Sequence, residues 1–239
     1  MTSQTRDAVR QIYSKDAPAY DRERLEDRRG LLLSNHDLWL FEQMFPQQQE
    51  NMKVLEIGAG TGRFTIPVLN RGFRVLATDI NQAMLDLLQQ KLEAMGLAAQ
   101  CQIQLADVFK LALPSNEFDY VYSLHVIPRF MTLNDQRAAL AEIGRVLKPG
   151  GTLLFNYRNI RSPFGLFYRE YGAKPAQIED ALRDAGLRIV QTRGKWLLNR
   201  TLLNHLPMFA NRVLAAADRR LTRFWTTRAW DVFVIARKN

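Results

Sequence analysis

Apolar residues along this chain fall into two rhythms. Short apolar runs bounded by Gly, Pro, Asn or Asp alternate with longer stretches in which Leu, Ile and Met return every third or fourth position. The short runs predict strands: one from Val54 into a glycine-rich turn, then Phe73 to Ile80, Gln102 to Val108, Phe118 to Ser123, Leu147 to Phe155, Leu187 to Thr192 and Trp230 to Arg237. The long stretches predict helices. Asn81 to Leu97 sets Met84, Leu88, Leu92 and Met95 on one face with Gly96 as its stop, and Thr132 with Asp135 forms a capping box for a helix whose Leu140, Ile143 and Leu147 turn inward. Pro175 opens another helix, which ends at Gly186. Strand and helix in alternation predict an α/β fold. Residues 1–50 read as an N-terminal helical cover, polar at first and apolar from Leu31 to Leu40, before a core at residues 51–239.

One connection breaks the rhythm. Residues 194–229 are too many for an ordinary link between two strands, so they predict a helical insertion with its own task. The insertion holds Lys195, Arg200, Arg212, Arg219, Arg220, Arg223 and Arg228 against only Asp218, which concentrates there most of the formal net charge of +9. On a helical wheel, Arg212, Arg219 and Arg223 fall on one side and Val213, Leu214, Ala217, Leu221 and Phe224 on the other. Such a helix fits three roles: packing its apolar face on the domain, lidding an anionic substrate, or making a peripheral contact with an anionic membrane through 207–225.

Composition bounds the rest. At 239 residues and 47% apolar content the chain can bury a large core, and it has no long uninterrupted apolar run. The first residues lack the apolar stretch of a secretory signal, so a cytoplasmic location, with or without membrane association, is expected. Cys101 stands alone as a small core residue, and His36, His125 and His205 are too scattered for a metal motif; no metal is expected.

The chemistry starts at VLEIGAGTGRF, Val54 to Phe64, where Gly58, Gly60 and Gly62 alternate behind Glu56. A turn this tight needs positive φ and a main chain bare enough for a ligand to lie against it. Asp79 ends the second strand 21 residues after Gly58, where a carboxylate can accept both hydroxyls of a ribose, while Asn81 is better placed to cap the next helix. Asp107 follows the third strand and can accept the amine of an adenine, or serve as a plain loop residue. Pro149, Gly150 and Gly151 turn the chain into the fifth strand.

In this order the motifs resemble the class I S-adenosylmethionine-dependent methyltransferases, over roughly Tyr20 to Lys238. A nicotinamide-binding domain would place its third glycine at position 63, where this chain has Arg63. The resemblance implies a Rossmann-like three-layer sandwich: a seven-stranded, mostly parallel sheet whose last strand is antiparallel. It also implies S-adenosyl-L-methionine as cofactor, held by Tyr20, Glu56, Gly58, Ala59, Gly60, Gly62, Asp79, Ile80, Asp107, Val108 and Ser123. Tyr13 shares the cover region with Tyr20.

His125, just beyond the fourth strand in SLHVIPRF, is the candidate general base, with plain packing beside the cofactor as its alternative. Tyr157, Arg158 and Arg161, past the fifth strand, are the candidate substrate residues. Arg63 has two options, a pair with Glu56 or the methionine carboxylate of the cofactor. SLHVIP lacks the Asp/Asn-Pro-Pro-aromatic motif of base and protein-amide N-methyltransferases, and Ser123 with Asn156 does not supply the acids of a metal-dependent O-methyltransferase. No DNA partner is expected. The expected acceptor is a small organic molecule: a hydroxylated metabolite, a quinone precursor or a lipid-linked sugar. An RNA or protein methyltransferase, and a silent cofactor-binding protein, are the alternatives.

Overall fold

The computed structural model describes residues 28–130, 132–163, 172–195 and 224–239, together with 11, 13, 14, 21, 213, 216–218 and 220–222. Helix α1, Arg28–Met44, leads into β1 (Val54–Ile57), α2 (Thr65–Asn70), β2 (Val75–Asp79), α3 (Gln82–Ala94), β3 (Cys101–Leu105) and β4 (Phe118–Ser123). The short α4 (Ile127–Phe130), α5 (Leu133–Val146), β5 (Leu147–Arg158), α6 (Pro175–Asp184), β6 (Leu187–Lys195) and β7 (Asp231–Lys238) complete the order.

Seven strands form one sheet in the order β3-β2-β1-β4-β5-β7-β6. The first five pair in parallel, and β7 runs antiparallel to both β5 and β6. Chain order reverses between β1 and β4, which opens a crevice at the carboxyl edge where such sheets take ligands. Because β7 is antiparallel, its first residue, Asp231, lies on that same edge, paired with Lys195 at the end of β6.

Two cores sandwich the sheet. On one face Leu55, Val121, Leu153 and Phe155 meet Leu140 and Ile143 of α5 and Ile178 and Leu182 of α6. On the other, Val75, Tyr120, Tyr122 and Phe233 meet Phe41 of α1, Phe45 just past its end, and Leu88 of α3. Phe45 inserts between Phe73, Tyr120 and Tyr122 at ring separations of 5.2, 4.8 and 5.4 Å. Each buried aromatic of this kind contributes ~1.5–3 kcal/mol, so α1 is firmly seated.

Local expectations hold with small shifts. Thr132 and Asp135 form the capping box, and Asn81 caps α3 by accepting from the main-chain N–H of Met84 at 3.1 Å. Met95 differs: the helix ends at Ala94, so Met95 is its C-cap, beyond the last helical turn, and is 50% exposed, while Leu85 joins Met84, Leu88 and Leu92 among the buried residues. The Pro-Gly-Gly segment lies inside β5. Two steps along β4, from Phe118 to Tyr120, face five along β5, from Leu147 to Thr152, so the turn is a bulge in a continuous strand. The inward Leu147 opens β5 and does not end α5.

Candidate active site

The glycine turn hangs from β2. Thr78 O accepts the main-chain N–H groups of both Gly58 and Ala59, at 2.7 and 2.9 Å, and Ala59 O accepts that of Gly62 at 3.0 Å. Gly58 has φ +82°, and a Cβ there would lie 2.0 Å from Cγ2 of Val126, so only glycine lets the loop after β4 approach. Gly60 has φ +55°, and no described residue stands within 4 Å of where a Cβ would lie, which leaves bare main chain at the tip of the turn. Asp79 is tied to that tip. Its Oδ2 accepts the Gly60 N–H at 2.9 Å and its Oδ1 accepts the Asn81 N–H at 2.9 Å. Burial raises its pKa, and these amide bonds, with that of Ile80, oppose the rise. A carboxylate has about four acceptor positions, so these three amides leave about one for a ribose hydroxyl. Asp107 lies two residues beyond Leu105, the partner of Asp79 in β3, and its Oδ1 closes a turn onto the Phe109 N–H at 3.0 Å.

The other expected cofactor residues divide. The Ser123 hydroxyl, at the end of β4, is buried with no hydrogen-bond partner among the described residues, as a polar group awaiting a ligand would be. Ala59 and Val108 point their side chains into the cores, so only their main chain can face a ligand, and Ile80 is half-buried. Glu56 turns under the loop: its Oε2 accepts from Thr65 Oγ1 at 2.5 Å and from the Tyr122 hydroxyl at 2.9 Å. Burial pushes its pKa to about 7, against those two hydrogen bonds. Tyr20 lies outside the described residues. Nearby, Thr61 donates to Asp21 at 2.6 Å, Lys91 also pairs with Asp21, and Asn81 donates to Ser14 at 3.0 Å, so Asp21 and Ser14 reach the glycine turn and the N-cap of α3.

Arg63 does not pair with Glu56, the expected partner that belongs to the chain. Its guanidinium reaches Asp37 of α1 at 2.5 Å, with Nε donating to Ser34 at 2.9 Å. Asp37 is the centre of a buried network that the sequence reading missed. Lys195 pairs with its Oδ1, and His125 Nε2 lies 3.1 Å from its Oδ2, an ion-pair contact in which the N–H is not aimed squarely at the oxygen. Burial would raise the Asp37 carboxyl, but the charges of Lys195, His125 and Arg63 hold it well below the usual range. Asp231 stands 3.8 Å from Lys195, and its Oδ1 accepts from Asn156 Nδ2 at 2.7 Å. The Asn156 Oδ1 accepts the His125 main-chain N–H at 2.7 Å, which holds His125 at φ +61°. Asp37, His125 and Asp231 offer atoms within 4.8 Å of one another, yet the Lys195 ammonium contacts both carboxylates and, with Arg63, already balances their charge.

His125 therefore has one nitrogen left for proton transfer. Nε2 is buried beside Asp37, whereas Nδ1 has only a loose contact with Asn156 Nδ2 at 3.4 Å. Phe64 and Phe233 flank the ring at 6.2 and 6.3 Å. Of the expected substrate residues, Tyr157 alone is corrected, by the alternation of β5. Tyr157 points with Phe155 into the α5–α6 core and is 4% exposed, while Asn156, one position earlier, faces the network. Arg158 stacks over Trp230 at 5.8 Å and Arg161 is exposed.

Residues 55–155 match the family model described as a methyltransferase domain. The ubiquinone/menaquinone biosynthesis C-methyltransferase UbiE of Chromobacterium violaceum is 38% identical over 135 residues, 53% of this chain and 51% of that protein. The match thus spans about half the length of that relative. Among solved structures, the magnesium protoporphyrin IX methyltransferase ChlM of Synechocystis PCC 6803, with bound SAH, superposes with a TM-score of 0.65 at 17% identity, covering 98% of this chain and 99% of that one. The [4+2]-cyclase SpnF gives 0.68 at 20% identity, covering 96% and 95%. At these identities the two structures show the fold alone. Residues 55–155 are thus similar to a methyltransferase domain, and the sheet has the fold of these two structures. The ChlM structure holds SAH, and the bare turn, the tethered Asp79 and the Ser123 hydroxyl of this chain have the chemistry to receive such a ligand.

Proposed function

We propose that this protein transfers a methyl group from S-adenosylmethionine to a small organic acceptor: a hydroxylated metabolite, a quinone precursor or a lipid-linked sugar. The observation that carries this reading is the bond between Gly60 and Asp79, which joins a bare, ligand-accessible main chain to a carboxylate oriented for a ribose. A relative named for ubiquinone and menaquinone biosynthesis supports the quinone precursor among these acceptors. The cofactor supplies an activated methyl on a sulfonium, so the protein's task is chiefly alignment.

Asp79 accepts from the ribose, Asp107 accepts from the adenine amine, and the glycine turn lies against the methionine part. His125 takes the acceptor's proton on Nδ1, and Asp37 stabilises the imidazolium through Nε2; the 3.1 Å contact supports this division of labour. Arg161, exposed on the same edge, and Arg158 beside Trp230 are the cations that an anionic acceptor would meet there.

Two measurements test the reading. S-adenosylhomocysteine at ~100 times its Kd should stabilise the fold by about 2.7 kcal/mol; a melting shift with nicotinamide dinucleotide alone overturns the cofactor. Methyl-labelled cofactor with cell extract should label small molecules. Label that follows only nuclease- or protease-sensitive material overturns the acceptor class, and no label at all identifies a silent binder.

A further inference from the structure

The insertion before β7 shows an inverted helix. Residues 213, 216–218, 220 and 221 are helical, and the side turned inward carries Asp218, fully buried, and Thr222, 3% exposed. Val213, Ala216 and Arg220 share the outward side, with Val213 66% exposed, and Leu221 flanks it at 38%. Just past the helix, Phe224 and Trp225 are 83% and 53% exposed. The expectation that this helix packs its apolar face on the domain is thus reversed for Val213, Leu221 and Phe224; Leu214, Arg212, Arg219 and Arg223 lie outside the described residues.

The orientation is fixed from inside. At Gly194 in β6 a Cβ would stand 2.5 Å from Ala229 Cβ and 3.0 Å from Thr226 Cα, so the end of the insertion lies directly on the sheet. Thr222 Oγ1 donates to Asp218 O at 2.6 Å on the same buried side.

We propose that this outward face docks on an anionic lipid bilayer. The argument is one of charge and chemistry. The only acid in residues 194–229, Asp218, is buried, and Lys195 is neutralised by Asp37. What the face offers to solvent is arginine, Arg220 and Arg228 among the described residues, beside an exposed phenylalanine and tryptophan. Aromatic side chains of this kind settle at the headgroup level of a bilayer while arginines meet lipid phosphates. Among the described residues no helix is long and apolar enough to cross a membrane, so the contact is peripheral. It also brings the carboxyl edge of the sheet toward the bilayer, since the insertion leaves from Lys195 and returns at Asp231. The proposal stands apart from the cofactor and acceptor readings and is tested separately.

The test is sedimentation of the full chain with vesicles of phosphatidylcholine alone and of phosphatidylcholine mixed with phosphatidylglycerol. Binding should appear with the anionic vesicles and weaken in high salt. A Phe224→Ser, Trp225→Ser double variant should lose roughly tenfold or more of that affinity. Its melting temperature and its stabilisation by S-adenosylhomocysteine should not change, because both side chains are exposed. Absence of binding to anionic vesicles, or equal binding by the double variant, overturns the proposal. So does a dimer, seen by light scattering, that the double variant abolishes, which would assign the face to a second copy of the chain.

Discussion

Replacing Glu56 by Gln separates a structural acid from a ligand-binding one. The Glu56 carboxyl is 2% exposed and its neighbours donate only two hydroxyl hydrogen bonds, so its pKa rises from 4.5 to about 7. The sign follows from proton binding. Between those two values the folded protein holds a proton that the unfolded chain has released, so stability falls as pH rises through this window and levels off above about 7. At about 1.4 kcal/mol per pH unit, the whole window is worth about 3 kcal/mol. Glutamine keeps the shape and the acceptor oxygen for Thr65 and Tyr122 but cannot ionise. Urea unfolding of both proteins at pH 5 and pH 8 should show the variant gaining about 2–3 kcal/mol on the wild type at the higher pH. Its affinity for S-adenosylhomocysteine should change little, because the carboxylate is already committed beneath the loop. A stability gap that is the same at both pH values, or that moves the other way, refutes the reasoning.

Three further substitutions probe the site. Asp37→Asn leaves Lys195 and Arg63 with an uncompensated buried charge at a cost of about 3–5 kcal/mol, which for a chain of this size lowers Tm by roughly 10 °C; a drop under about 2 °C in a calorimetric scan would remove Asp37 from the centre of the network. Asp79→Ala should weaken S-adenosylhomocysteine binding about tenfold or more by calorimetric titration while the fold persists, and unchanged affinity takes Asp79 out of the site. His125→Ala should lower turnover by ~10²–10⁴ with cofactor affinity intact, and full activity across the pH range rejects the proton-transfer role.

The cofactor half of the fold was legible because its signals are local. Gly58 to Gly62 and Asp79 carry their meaning in spacing along one βαβ unit, and the capping box at Thr132 needs only four consecutive residues. The acceptor half was not, because its partners are distant in sequence: Lys195 and Asp37 are separated by 158 positions. One signal was present. Ser34, His36 and Asp37 interrupt the otherwise apolar run of α1, and polar groups on a buried helix face have to find partners. Tyr157 was misplaced by a single step, since a strand's side chains alternate and a one-residue error exchanges a core side chain for a site one. The orientation of the insertion failed for another reason. Helical periodicity sorts side chains into faces but does not say which face is inward, and here the choice was made by Asp218, Thr222 and the close approach at Gly194.

The reversed direction of β7 has a consequence for how such a protein can diversify. Both stems of the segment between β6 and β7 are anchored in the sheet, and both open on the rim where the reaction would occur. Whatever is threaded between them can be lengthened, shortened or exchanged while Gly58, just past β1, and Asp79, at the end of β2, stay undisturbed on the far side of β4 and β5, as the proposed donor site requires. A graft of this segment from a homologue, with Lys195 and Asp231 retained as its foundations, is therefore the simplest route to a new acceptor on an unchanged donor site.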